Sequence, residues 1–283
     1  MKVYVTVWFK DFRRRELSSE LVEGGFDGFE LSLDYPICER IKLKDIPQIK
    51  DLLRSGLEAS VHLPWREIYL ASPIDEVRKT SLSSVLKCFE ESRIIEPRYA
   101  VLHVVTDQAI CSDSIEECIT ASRKSIESLT GVANELGIPL YIETTRNFCC
   151  GGLEQAVNYL ELGVRLCLDI PHAIERYSRL RRAPSSLKDV LWDTPPQALK
   201  AIECVHLHGY VLSGYHVIES HIEPSRELLE EYIETLRKGV IRPEYTVLES
   251  FYSAETKKFV KFDKLRWCVD ELKKSCNWDR RSR

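Results

Sequence analysis

Hydrophobic positions along the chain gather into eight short runs, rich in β-branched and aromatic residues and separated by longer stretches of mixed polarity. The runs are KVYVTVWF (2–9), FDGFELSL (26–33), LEASVHL (57–63), RYAVLHVV (98–105), IPLYIET (138–144), VRLCLDI (164–170), IECVHLH (202–208) and EYTVLES (244–250). Their length and composition predict strands. The intervening stretches carry helical spacing and recognisable helix starts. Ser72-Pro73 offers an N-cap followed by proline at the first helical position. Ser114 with Glu117 forms a capping-box pattern at the head of a long helix that ends near Gly137.

Strand, helix, strand, repeated, implies right-handed βαβ units and a parallel sheet. Eight such units in 283 residues predict an α/β fold of the (β/α)8 TIM-barrel type, as a single domain over residues 1–283. An open doubly wound sheet is the alternative, but no GxGxxG follows the first run, which weakens its dinucleotide-binding form. No linker rich in Pro, Gly or Ser interrupts the pattern.

In a parallel barrel the chemistry sits at the C-terminal ends of the strands. The third run ends at His62, the fourth at His103 and the fifth at Glu143. The sixth ends in Asp169 with His172 close behind, the seventh in His206 and His208, and the eighth in Glu249. The stretch after the seventh run adds His216, Glu219 and His221. Five of the seven histidines therefore lie at or just past a predicted strand end, and His216 and His221 lie in the loop beyond the seventh run. One such residue alone is ordinarily a hydrogen-bonded structural group. A set of carboxylates ending buried runs on one rim is different, because the charges repel and are costly to desolvate. A divalent metal relieves that repulsion and uses the imidazoles as well.

Composition narrows the remaining classes. A formal charge of -4 gives no global field for nucleic acid, although a local basic groove stays open. Basic residues concentrate at RLRRAP (179–184) and DRRSR (279–283), read as solvated helix faces and a chain end. No run of transmembrane length appears, and the N-terminus lacks a signal-peptide cleavage site, so a cytoplasmic protein without membrane contact is expected. Few Asn, Gln and Met among many Lys, Arg and Glu fit a thermophile. Ten cysteines show no CxxC spacing. Buried reduced thiols are the plain reading and disulfides of a hyperthermophile the alternative.

At these strand ends the chain resembles the superfamily of endonuclease IV and xylose isomerase-like TIM barrels, the family-2 AP endonucleases. The resemblance spans nearly the whole chain. Endonuclease IV holds a trinuclear zinc cluster with a His, His, Glu, Asp-x-x-His, His, Asp-x-His, Glu series. The matching positions are His62, His103, Glu143, Asp169 with His172, His206, Glu219 with His221, and Glu249; Glu219 stands where that family has Asp. The resemblance thus implies a metal-dependent phosphodiester hydrolase with two or three zinc ions per chain. Glu143 and Glu249 would be catalytic as well as ligating. Abasic DNA is one substrate class; a small nucleotide-like phosphodiester such as a cobamide is favoured over it. The sugar isomerases of the superfamily match only at Glu143, Asp169, His206 and Glu249. That set implies the alternative, a manganese or magnesium sugar isomerase or epimerase moving a proton between Glu143 and Glu249.

Four further residues are candidates for substrate contact. Trp65 would stack on a sugar face, its plain role being packing at the rim. Arg146 would hold a hydroxyl or phosphate, its plain role being a solvent salt bridge. Tyr69 loosely echoes a DNA-penetrating tyrosine, and His208 shares a strand face with His206. Oligomeric state is left open.

Overall fold

The computed structural model describes residues 1–278, and the basic segment 279–283 lies outside them. Each of the eight predicted runs contains a strand of one closed parallel barrel. These are β1 (Lys2–Val7), β2 (Gly28–Ser32), β3 (Glu58–His62), β4 (Ala100–Leu102), β5 (Leu140–Glu143), β6 (Arg165–Asp169), β7 (Ile202–Leu207) and β10 (Tyr245–Leu248). Their order around the barrel is β1-β10-β7-β6-β5-β4-β3-β2. The barrel is interrupted on its C-terminal face by an antiparallel hairpin, β8 (Gly209–Ser213) and β9 (His216–Ile222), inserted directly after β7.

The period of two along a strand decides what fills the barrel. Tyr4, Tyr99, Val101, Tyr141, Cys167, Cys204, Tyr245 and Val247 form one buried cluster, separate from the core between strands and helices. Two residues further along the same faces come the polar groups: His103 after Val101, Glu143 after Tyr141, Asp169 after Cys167, His206 after Cys204, Glu249 after Val247. An apolar, aromatic plug thus closes the lower barrel and turns the inward positions above it into a site floor. Gly28 belongs to this arrangement. A Cβ there would stand 2.7 Å from the Tyr4 ring and 2.4 Å from the Glu58 carbonyl, so only glycine lets the ring lie against β2.

Helices run outside the barrel, the longest being Ile115–Leu136, which ends as expected on Gly137 with φ +68°. Ser114 is its N-cap but makes no side-chain capping bond. The Ser72-Pro73 start is also displaced. The helix begins at Asp75, and the Ser72 hydroxyl accepts the Ile74 N–H at 3.2 Å in a turn ahead of it. Four of the cysteines pair, Cys38 with Cys88 and Cys111 with Cys149, at Cα separations of 5.4 and 5.7 Å that suit a disulfide. Cys118, Cys150, Cys167, Cys204 and Cys268 remain buried thiols. Among the described residues no helix is long and apolar enough to cross a membrane.

Candidate metal centre

Three groups of ligand-type side chains meet at the C-terminal end of the barrel. In the first, Glu143, Asp169, His206 and Glu249 each offer an atom within 4.8 Å of the others. His206 is fully buried at its middle. Its Nδ1 lies 3.3 Å from Glu143 Oε2 and 3.5 Å from Glu249 Oε2. Its other nitrogen, Nε2, lies 3.1 Å from Glu30 Oε1. Burial pushes the carboxyls of this group up. The neighbouring imidazoles nevertheless hold Glu143 and Asp169 well below the usual carboxylate range and Glu249 at about 2. Three ionised carboxylates in a dry pocket need cationic company.

The second group shares Glu143 with His62 and His103. His62 Nδ1 donates to the Leu63 carbonyl at 2.9 Å, which aims Nε2 at Glu143 Oε2, 3.0 Å away. A carboxylate oxygen can only accept. Without a metal the contact therefore requires a proton on Nε2. Burial opposes that charge, but Glu143 outweighs it and raises the His62 pKa to about 9. His103 Nε2 stands 3.1 Å from the other oxygen of Glu143 without hydrogen-bonding alignment.

The third group is His172, His208 and His221. His172 sits in the first turn of helix Ile170–Arg181, where the Asp169 carboxylate caps the helix by accepting the His172 N–H at 2.7 Å. His221 reaches the site through a β-bulge. The hairpin register passes from Gly209↔Ile222 to Tyr210↔Ser220, leaving His221 as the extra residue, with φ +56°. This bulge corrects one expectation. In a regular strand, Glu219 would share the face of His221. Here it points away and forms an exposed ion pair with Lys257 at 2.5 Å. Glu219 is not brought to the cluster. The position expected from it is taken by His208, expected as a substrate contact but fully buried, with its ring stacked 4.1 Å from His221 and Nε2 3.1 Å from Asp169 Oδ2. Burial, with help from His208, lowers the His221 pKa to about 4, so that ring is neutral and able to ligate.

The donors fit metal ions. His103 Nε2, His172 Nδ1, His206 Nδ1 and Glu30 Oε1 are buried polar atoms with no hydrogen-bond partner, an expensive condition for imidazole nitrogens unless they coordinate. Glu30 was not foreseen from the sequence. It stands where a metal-site histidine takes its orienting carboxylate. The signal available was a lone acid inside the apolar stretch GFELS of β2.

Above the clusters lies a cavity of about 610 Å³. Trp65 and Arg146, both expected to contact substrate, are among the residues that line it. Tyr69 does not. It is 40% exposed and away from the cavity, its backbone N–H bonded to Ser81 in a turn. His216 opens β9 on the exposed side of the hairpin. Aromatic residues make much of the wall, including Trp8, Phe251, Tyr252 and Phe259.

The sequence pattern of the xylose isomerase-like TIM barrel family matches residues 19–240. A search of curated proteins finds no significant match. Among solved structures, a D-tagatose 3-epimerase-like protein is similar at TM-score 0.68 and 17% identity, over 100% of this chain and 99% of its own. The TTHB071 protein from Thermus thermophilus, in a structure soaked with zinc chloride, is similar at TM-score 0.66 and 21% identity, over 96% and 99%. Endonuclease IV from Thermus thermophilus is similar at TM-score 0.62 and 15% identity, over 96% and 100%. At these identities the likenesses speak for the fold.

Proposed function

We propose, from the premise that the chain belongs to the xylose isomerase-like TIM-barrel family, that it is a zinc-dependent hydrolase of a small phosphodiester. One observation carries this reading. The four-residue group common to sugar epimerisation and hydrolysis is flanked on both sides by imidazole groups, one joined to it through Glu143 and the other through Asp169 contacts. A site for one ion needs neither flank. When bound, two or three zinc ions would supply charge for the phosphoryl oxygens and acidify a water.

The chain's own residues do the rest. His62, His103 and Glu143 would hold one ion; Glu143, Asp169, His206 and Glu249 a second; His172, His208 and His221 a third. Glu143 is ionised and faces both of the first two groups, so it would position the attacking water between them by accepting its hydrogen bond. Glu249 lines the cavity floor opposite it and would help hold the second ion there, whose charge would favour the reacting phosphoryl group. Leu63 and Glu30 fix the rings of His62 and His206. The aromatic wall excludes bulk water and strengthens every charge interaction inside. A cavity of about 610 Å³ suits a drug-sized ligand, and with a charge of -4 on the chain it favours a nucleotide-like diester over abasic duplex DNA.

A second reading has its own observation. The four-residue group is complete by itself, and Glu143 and Glu249 both approach His206 Nδ1 from within one small space. With one manganese or magnesium ion, the two carboxylates are placed to pass a proton at the carbon beside a carbonyl, as in epimerisation. The readings separate on one panel. Protein loaded with zinc or with manganese is assayed against an abasic duplex, a cobamide and simple nucleotide diesters, and against ketoses. Ketose epimerisation with manganese, and no diester cleavage with zinc, would overturn the hydrolase.

A further inference from the structure

Of the three arginines that line the cavity, Arg66 and Arg146 stand over different sectors of the barrel. Arg66 follows β3, and its guanidinium lies 4.6 Å from the Trp8 ring and 5.1 Å from the Trp65 ring. Trp8 follows β1, and Asp34, whose carboxylate lies 3.5 Å from Arg66 Nε, follows β2. Arg66 therefore stands over the β1–β3 side. Arg146 follows β5 and leans the other way. Its Nε is 2.5 Å from Glu175, in the helix after β6, and its Nη2 donates to Ser220 Oγ at 3.4 Å, in the hairpin after β7. With β2 between β1 and β3, and β7 beyond β6 in the closed order, the two arginines lean towards opposite sectors of the barrel mouth.

Each lies beside a buried carboxylate. Asp34 and Glu175 are buried and engage the Nε side of their arginine, and Asp34 Oδ1 also accepts the backbone N–H groups of Trp65 and Arg66 at 3.1 and 3.3 Å. Contact at Nε leaves Arg66 the terminal nitrogens of a planar fork, the part that matches phosphate and carboxylate oxygens in a bidentate way, while Arg146 shares Nη2 with Ser220. Both reach solvent: Arg66 is 52% exposed in its side chain and Arg146 37%. A third cavity arginine, Arg14, is spent structurally on Asp11, Glu20 and the Val260 carbonyl.

We infer that the substrate is a small molecule with two anionic groups: the reacting phosphodiester, met by Arg146 beside His172, and a second phosphate or carboxylate met by Arg66. This rests on the hydrolase reading for the identity of the first group only. Arg66 is then the specificity-determining residue, and Arg146 binds the group that every substrate shares.

The test uses zinc-loaded protein and calorimetric titration with adenosine, adenosine monophosphate and adenosine bisphosphate, so that no turnover is required. The bisphosphate is expected to bind roughly tenfold or more tightly than the monophosphate, the worth of one charge-assisted contact. Arg66→Ala should abolish that preference at unchanged zinc content, Arg66→Lys should restore it in part, and Arg146→Ala should weaken both nucleotides alike. An unchanged preference in Arg66→Ala, or no preference in the wild-type protein, would overturn the inference. An Arg66-dependent preference together with epimerase activity and a single bound metal would remove the hydrolase and leave the paired anion sites standing.

Discussion

His221 offers the most informative single position, because its backbone and its ring make separate predictions. Its φ of +56° lies in the left-handed region, which costs a non-glycine residue about 1–2 kcal/mol. In return its ring stacks at 4.1 Å on His208 and 5.0 Å on Phe251, contacts worth about 0.5–1.5 kcal/mol each. Both His221→Ala and His221→Gly lose those contacts and the ligand nitrogen, but only glycine relieves the backbone. In metal-free protein, His221→Gly should therefore be more stable than His221→Ala by about 1 kcal/mol, and below the wild-type protein by a similar amount. With zinc, both variants should lose about one ion per chain and share the same drop in zinc-induced stabilisation. The assay is urea unfolding with chelator and with zinc, beside elemental analysis. Equal stability of the two variants would refute the strained bulge, and full zinc content in either would refute His221 as a ligand.

Other outcomes follow from neighbouring residues. Glu219→Ala should keep full metal content and turnover, because its partner is the half-exposed Lys257; the loss in stability should stay below about 1 kcal/mol in thermal unfolding. Glu30→Gln should weaken zinc binding about 10–100-fold in competition with a chelator, since it removes the carboxylate that orients His206. Zinc binding should also release protons. His62 holds a proton up to a pKa of about 9 in the metal-free protein, and coordination displaces it, so affinity should rise as pH climbs from neutral towards that value and then level off. Calorimetry in buffers of different ionisation enthalpy measures the proton count, and a pH-independent affinity would contradict the assigned His62–Glu143 contact.

The barrel was legible in the sequence because its strands are marked twice, by short β-rich runs and by the helix signals between them. The floor of the site was legible for the same reason. Once the strands are placed, period two carries His103, Glu143, Asp169, His206 and Glu249 inward above the aromatic plug without further information. The rim was less legible, and the failures share a cause. Glu219 and His221 sit two apart, which on a regular strand means one face, but the extra residue in the hairpin turns His221 inward and Glu219 out to Lys257. No residue type in ESHI announces a bulge, since the left-handed position carries histidine rather than glycine. The place of His208 behind Asp169 depends on where β7 gives way to the hairpin, which the strand pattern does not announce. Tyr69 was placed by analogy of motif, whereas the turn after β3 carries it outside the cavity wall. Glu30 is not legible because a single acid within an alternating strand is ordinarily solvated, and only barrel closure buries it against His206.

Anomalous X-ray diffraction at the zinc edge, from crystals of zinc-loaded protein, tests the central claim most directly. Two or three peaks are expected, one within Glu143, Asp169, His206 and Glu249, one beside His62 and His103, and one beside His172 and His221. A lone peak in the four-residue group, with the flanking imidazoles hydrogen-bonded to carboxylates or water, would contradict it.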